Sequence, residues 1–439
     1  MTKPKNYFTY VKELFNLALP MVIGSLGIIL IGVGDVFVAA RYSTNTLASI
    51  SIANSIISTV FLFGIGVLAS VSPLLSNFRG AKEGAKKYFL PTINFSLILS
   101  VLSTIIVLML IPFIDVIGFD KILVHDIKEY MFICAFSTFG AYLQVALKEY
   151  LQAFEVVIFP NVLNIIGVFF HLFLDFVFVF GWFNLPAMGT VGLAVATFIS
   201  RTIMGLIMIL YCLRFIRVRK YKDFEYFVKL LKIGFPIAVA VVLEVAAFNI
   251  ITVVIGRVSG TYAAAQNIVL TITTATFMIP MAIANAIAVK VGFANGAGNF
   301  VDLKRYALAG IGISVGFMAI CAVAFLTLPK FFVNIFTADA ALVKICVPII
   351  ILAGLFQMFD GLQVSLGGVF KGLKKTKIVM LGNLWAYWLI GLPLGFLLAF
   401  KYKMYLFGCW VGTTISIFLL GITLLLILLK YFKQTESVK

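Results

Sequence analysis

Twelve long runs of nearly uninterrupted apolar residues divide this 439-residue chain. They fall at roughly 14–40, 47–76, 89–117, 128–150, 158–181, 188–213, 229–256, 262–292, 306–329, 341–370, 377–400 and 404–430. A helix needs about 20 apolar residues to cross a bilayer, so the chain has room for twelve crossings and little else. Continuous apolarity, without alternation, excludes a lipid-facing β-barrel. The expected class is an all-α integral membrane protein with twelve transmembrane helices. Several runs exceed the span of the hydrocarbon core, which calls for tilt or for helix continuing beyond it. Only 12% of residues are charged and 62% are hydrophobic, whereas soluble domains carry about 25% charge. That excludes a soluble enzyme and a disordered chain. The first run is too long for the core of a cleavable signal peptide and is taken as an uncleaved first helix. The five cysteines lie far apart in apolar stretches, without metal-ligand spacing, and are assigned to packing.

Positive charge sets the expected orientation. Of 34 Lys and Arg, 25 fall in the two termini and the even-numbered loops and 8 in the odd-numbered loops, and Arg201 lies inside the sixth run. The densest clusters are Arg79 to Lys87, Arg214 to Lys232 and Lys371 to Lys377. By the positive-inside rule both termini are cytoplasmic, in a multi-pass protein of the cell inner membrane. The net charge of +17 then reflects topology and anionic lipid head groups, and no nucleic-acid partner is expected.

The two halves resemble one another. Ala18-Leu19-Pro20 matches Gly234-Phe235-Pro236, Ala40-Arg41 matches Gly256-Arg257, and Gly80-Ala81 matches Gly296-Ala297. Gln144-Val145-Ala146-Leu147 matches Gln363-Val364-Ser365-Leu366, and Gly192, Thr197 and Ser200 match Gly408, Thr413 and Ser416. All but one of these matches share one offset. Six crossings return the chain to its starting side, so the halves are parallel repeats about an axis along the membrane normal. The division is residues 1–213 as an N-terminal six-helix lobe, 214–232 as a basic cytoplasmic linker and 233–439 as a C-terminal six-helix lobe. Duplicated bundles of this kind are typical of secondary transporters. The spacings Gly391 to Gly395 and Gly408 to Gly412 are small-xxx-small patterns that favour close helix approach. Pro20, Pro73, Pro236, Pro280, Pro348 and Pro393 offer kinks or hinges.

Four carboxylates fall well inside apolar runs: Asp35, Asp175, Glu244 and Asp360. Each costs on the order of 3 kcal/mol near the bilayer centre, so a function is the default expectation. At 1.5 Å per residue, Asp35 and Asp175 both lie roughly 9 Å from the outer helix ends. Glu244 and Asp360 lie roughly 18 and 16 Å in from the cytoplasmic side. Each half thus carries carboxylates at matched depths. Two close carboxylates in a low dielectric need a proton or a counter-cation between them, and oxygen ligands suit a hard cation such as sodium. His171, one turn from Asp175, is a candidate proton relay, and Arg201 or His171 is a candidate ion-pair partner for Asp175. His171, Gln144, Gln363, Asn267 and Arg201 are the candidates for substrate binding or proton relay. The abundance of Phe, Tyr and Met suits lipophilic cations as well as lipid contact. Gly312-Ile-Ser314-Val-Gly316 copies a hydrolase elbow but lies inside an apolar helix, and no nucleotide-binding fingerprint is present.

On these residues the chain resembles the multidrug and toxic compound extrusion (MATE) family, and its NorM-like branch. The resemblance is carried by Leu19-Pro20 through Asp35 to Arg41, Asn77 to Glu83, Lys232 to Pro236 with Glu244, and Gln357 through Asp360 to Lys375. It implies two pseudo-symmetric six-helix bundles in a V-shaped fold. It also implies export of organic cations in exchange for sodium or protons, with no cofactor and no enzymatic activity. Glu244 and Asp360 match the family's cation-binding carboxylates in helices seven and ten, with Na+ as their metal. Asp35 matches the helix-one acid tied to proton coupling in the DinF-like branch. Where the family often shows Asn-x-x-x-Asn/Asp in helix five, this chain has His171 to Asp175, a departure from the pattern. The expected function is therefore a Na+- or H+-coupled multidrug antiporter working by alternating access. Its expected partners are organic-cation drugs or toxic metabolites and membrane lipids, and it is expected to act as a monomer. The alternative is a flippase for lipid-linked saccharides, which requires a cavity rich in Arg and Lys.

Overall fold

A computed structural model describes residues 6–216, 221 and 223–437. Lys3 and Lys5, with residues 217–220 and 222 of the basic linker, lie outside the described residues. Among the described residues there is no strand, and twelve helices are long and apolar enough to cross a membrane. They are α1 (Tyr7–Tyr42), α2 (Thr44–Gly80), α3 (Ala85–Ile117), α4 (Lys121–Ala153), α5 (Ile158–Phe180) and α6 (Gly189–Arg214). The second six are α7 (Phe224–Gly256), α8 (Gly260–Gly296), α9 (Phe300–Thr327), α10 (Ala340–Gly372), α11 (Thr376–Lys401) and α12 (Tyr405–Glu436).

Most helices outlast their apolar runs. α1 begins at Tyr7 although its apolar run begins near residue 14, and α4 runs to Ala153. Polar caps fix several starts. Asp120 accepts from the Ile122 amide, Asp339 from the Ala341 amide and Asn299 from the Asp302 amide, each such cap contributing about 0.5–2 kcal/mol.

The internal repeat survives in backbone detail. Ser43 caps α2 and Ser259, 216 positions later, caps α8. Lys82 and Gly298 both turn left-handed at φ 60° and 66°. So do Glu155 and Lys374, 219 positions apart, at φ 64° and 60°. The closing bonds also correspond, Glu83 N to Phe78 O with Asn299 N to Ala294 O, and Val156 N to Leu151 O with Lys375 N to Phe370 O. These six-to-one bonds satisfy carbonyls that a helix C-terminus leaves unpaired.

By contact, the chain forms two compact units: Ile23–Ala238, and Met1–Val22 together with Val239–Lys439. α1 and α7 therefore each serve both units, and each divides near an internal proline, Pro20 or Pro236. In the unit containing Val239–Lys439, the Tyr10 hydroxyl donates to Asp302, and Glu13 takes Tyr306 and Lys290 as partners. In the unit Ile23–Ala238, buried Tyr226 shares a hydrogen bond with Thr92 at 2.8 Å and stacks on Tyr88 at 4.5 Å. The leading segment of each sequence half is thus buried within the unit built mainly from the other half.

α11 departs from α-geometry. Leu384–Gly391 and Leu397–Lys401 are π-helical, with a short α stretch around Pro393 between them. A proline lacks the amide that would continue the ladder, and wide turns are one accommodation. The glycines expected to permit close approach do so: a Cβ on Gly412 would stand 2.5 Å from the Gly395 Cα and 2.7 Å from the Gly391 carbonyl oxygen. Gly412→Leu should lower the thermal midpoint in detergent, at a cost of about 1–3 kcal/mol. Gly312→Ala, whose Cβ meets nothing within 4 Å, should hold or raise it, because alanine is favoured by roughly 0.5–1 kcal/mol in a helix. Equal midpoints for the two variants would show that the α11–α12 approach does not seat α11.

Candidate functional site

In the unit Ile23–Ala238, α1 carries Asp35, α5 carries His171 and Asp175 on one face, and α6 carries Ser200. His171 Nε2 lies 2.7 Å from Asp35 Oδ1 and 3.4 Å from Asp175 Oδ2. Its Nδ1 lies 3.0 Å from Ser200 Oγ, which donates its own proton to the Thr197 carbonyl at 3.1 Å. Ser200 therefore accepts from Nδ1–H, and the imidazole aims Nε2 at the carboxylates. A hydrogen bond at 2.7 Å between that nitrogen and a carboxylate oxygen requires a further proton between them. Asp175 is fully buried, and neither of its carboxylate oxygens accepts a hydrogen bond. One ligand atom from each of Asp35, His171 and Asp175 falls within 4.8 Å of the others.

Arg201 does not neutralise this cluster. It donates to Ser137 Oγ at 2.8 Å and lies over the Phe61 ring at 5.1 Å. No ion pair joins it to Asp35 or Asp175 among the described residues. Asp35, His171 and Arg201 line a cavity of about 350 Å3 together with Gln144, Asn164 and Lys148. Gln144 donates to Asn164 at 2.8 Å. Lys148, which the sequence groups with the loop charges, lies inside α4 and five residues before its end. Arg201 is thus joined by a second basic residue on the same cavity wall.

In the other unit, Glu244 lies on α7, Asp360 and Gln363 on α10, and Asn383 with Tyr387 on α11. Asn383 Nδ2 donates to the Ala240 carbonyl at 3.2 Å and to Glu244 Oε2 at 3.4 Å. Gln363 Nε2 donates to Asn383 Oδ1 at 3.3 Å. Asp360 is buried and interacts electrostatically with Glu244. The Tyr387 hydroxyl is buried beside Glu244, and the Gln363 side-chain amide oxygen is buried without a hydrogen-bond partner. The π-helical stretch of α11 is held against α7 by Trp388, whose indole donates to the Leu243 carbonyl at 3.0 Å. Wide turns at a polar cluster are a frequent mark of functional helices.

The structure brings together Asp35, His171 and Asp175 in one cluster, and Glu244, Asp360 and Gln363 in another. Gln144 and Arg201 border the first. Asn267 is exposed on α8 and joins neither; its backbone carbonyl accepts from the Thr271 hydroxyl at 2.8 Å. Its neighbour Gln266 is the buried amide there, accepting from Trp410 at 2.7 Å. Sequence reasoning missed Asn164, Asn383, Tyr387 and Lys148. A signal for two of them existed: Asn164 and Asn383 stand 219 positions apart, the same offset as Gln144 and Gln363. The Gln–Asn hydrogen bond is thus duplicated between the halves.

The amide network around Glu244 gives a direct test. Asn383→Leu leaves the carboxylate and the Gln363 amide without their partner, and should cost about 1–3 kcal/mol in detergent unfolding. Combined with Glu244→Gln, part of that loss should return, as an interaction energy of about 0.5–3 kcal/mol. Strictly additive losses would show that the bond is idle.

A family model described as MatE matches residues 20–177 and 236–397. A probable multidrug resistance protein NorM from Mesorhizobium japonicum is 28% identical over 419 residues, covering 92% of this chain and 90% of that protein. A multidrug resistance protein NorM from Vibrio cholerae is 28% identical over 434 residues, covering 93% of each. Among solved structures, a eukaryotic MATE transporter superposes with a TM-score of 0.86 at 22% identity, covering 96% of each chain. A MOP superfamily transporter from Pyrococcus furiosus superposes with a TM-score of 0.87 at 18% identity, covering 97% of this chain and 96% of that one. At these identities the solved structures establish the fold.

Proposed function

Because the chain belongs to the MatE family, we propose that it exports amphiphilic organic cations across the cell inner membrane in exchange for Na+ or H+. The observation that carries this reading is a pair of intramembrane carboxylates in each compact unit, neither pair neutralised by arginine among the described residues. Such groups persist in an apolar membrane because a mobile cation uses them. Relatives named as multidrug resistance proteins support the substrate class.

In this mechanism Glu244 and Asp360 hold the coupling cation, with Asn383 orienting Glu244 and Gln363 orienting Asn383. Sodium would meet carboxylate and amide oxygens there, the hard ligands it prefers. Asp35 and Asp175, with the His171 proton between Nε2 and Asp35, take up a proton, a cation or the drug. Binding of ion and drug in turn, as the two halves alternate access, gives exchange: each lowers the affinity of the other through a reciprocal coupling free energy. Both termini lie in the cytoplasm and the protein acts as a monomer. The flippase alternative gains Lys148 beside Arg201, but Asp35 on the same cavity wall opposes a pyrophosphate.

The test uses proteoliposomes loaded with a fluorescent organic cation, under an imposed sodium or proton gradient. Efflux should follow at least one of them. In Glu244→Gln with Asp360→Asn, the ion's effect on drug affinity should fall from roughly 5–150-fold towards unity. Efflux driven by neither gradient sinks the antiport reading. Sodium-driven efflux that survives both substitutions sinks the assignment of Glu244 and Asp360.

A further inference from the structure

We propose that Asp35, His171 and Asp175 form a site for a divalent transition-metal ion of the zinc or cobalt type. This goes beyond the antiport reading and does not depend on it. Carboxylates alone favour hard cations, but an imidazole nitrogen shifts the preference towards borderline metals, for which one nitrogen and two oxygens form a good ligand set. The three donor atoms lie within 4.8 Å of one another. Ligands about 2.0–2.1 Å from a tetrahedral ion stand about 3.3 Å from one another. His171 Nε2 and Asp175 Oδ2 are 3.4 Å apart. Asp35 Oδ1, at 2.7 Å from the same nitrogen, would withdraw by about 0.6 Å to reach that spacing.

Three further observations point to a ligand. Asp175 is fully buried and meets only His171, at 3.4 Å, and the like-charged Asp35, an expensive arrangement unless something else occupies its oxygens. Ser200 holds Nδ1 of His171 at 3.0 Å, the outer partner that orients a metal-ligating histidine and fixes its tautomer. Arg201 is engaged by Ser137 and Phe61, so neither carboxylate has an arginine partner, and a divalent ion taking the place of the proton at His171 Nε2, which leaves to water, would balance them. The cavity of about 350 Å3, lined by Asp35 and His171, supplies a route in. It also leaves a fourth position for water or for a donor atom of a transported molecule. Three protein ligands with an open position describe an exchangeable or reactive ion, unlike the closed four-ligand sites that hold folds together.

The experiment titrates the purified full-length protein in detergent, freed of any affinity tag, with Co2+ in a large excess of Na+, and follows the visible ligand-field bands. One equivalent should give tetrahedral bands that Zn2+ abolishes. His171→Asn should remove them. Ser200→Ala should weaken the affinity roughly 10–100-fold, as loss of an outer-shell partner does. Asp175→Asn serves as a second ligand variant should His171→Asn fail to yield monodisperse protein. Glu244→Gln, which lies in the other unit, should bind Co2+ as the unaltered protein does. Absence of the bands, displacement of Co2+ by Na+ or Mg2+, or full binding in both ligand variants would overturn the proposal. Gradient-driven efflux does not enter this measurement, so the antiport reading stands or falls separately.

Discussion

No water reaches the middle of a bilayer to solvate an ionised carboxylate, so its countercharge must come from the protein or from something that visits it. The rest of this molecule is arranged around that demand. Twelve helices satisfy their own backbone groups, as lipid requires, and leave side chains to handle the charge. In one unit a histidine stands between two aspartates. In the other, asparagine and glutamine amides hold a glutamate near an aspartate. Fixed guanidinium partners, which would settle the charge permanently, are turned elsewhere: Arg201 faces Ser137 and Phe61.

The fold was largely legible in the sequence because lipid makes it so. Runs of apolar residues long enough to span, and their basic punctuation, leave few alternatives to helices. The four carboxylates inside apolar runs were legible for the same reason, being conspicuous against oil. Depth counting along helices matched Asp35 with Asp175, and the structure joins them through His171. What escaped were residues of ordinary type whose significance lies in position. Asn383 is one asparagine among many until α11 folds it against Glu244. Lys148 lies near the end of the fourth apolar run, and its place beside Arg201 on one cavity shows only in the fold. Asn267 stands exposed on α8, apart from both clusters, while the preceding Gln266 is buried against Trp410.

The duplication shows what each half keeps and what it varies. Caps, left-handed turns and the Gln–Asn bond recur at fixed offsets, so the scaffold is held in common. The charged groups are not: Asp35 corresponds to Ile251 and Glu244 to Ile28 under the 216-residue offset. Equivalent helices thus carry acids at different depths, and the two clusters differ in chemistry, one built on imidazole and the other on amides. A shared frame with divergent contents is what two linked but unlike binding events require.

The exchanged leading segments bear on how the chain is made. The first unit closes only when the strip ending at Ala238 has left the ribosome, well after its own six crossings are complete. The second needs the strip ending at Val22, which was synthesised first and must wait for Tyr306 and Asp302 to arrive. Neither gene half encodes a self-sufficient body. A chain cut between the halves would yield two fragments, each missing one wall and each carrying the other's.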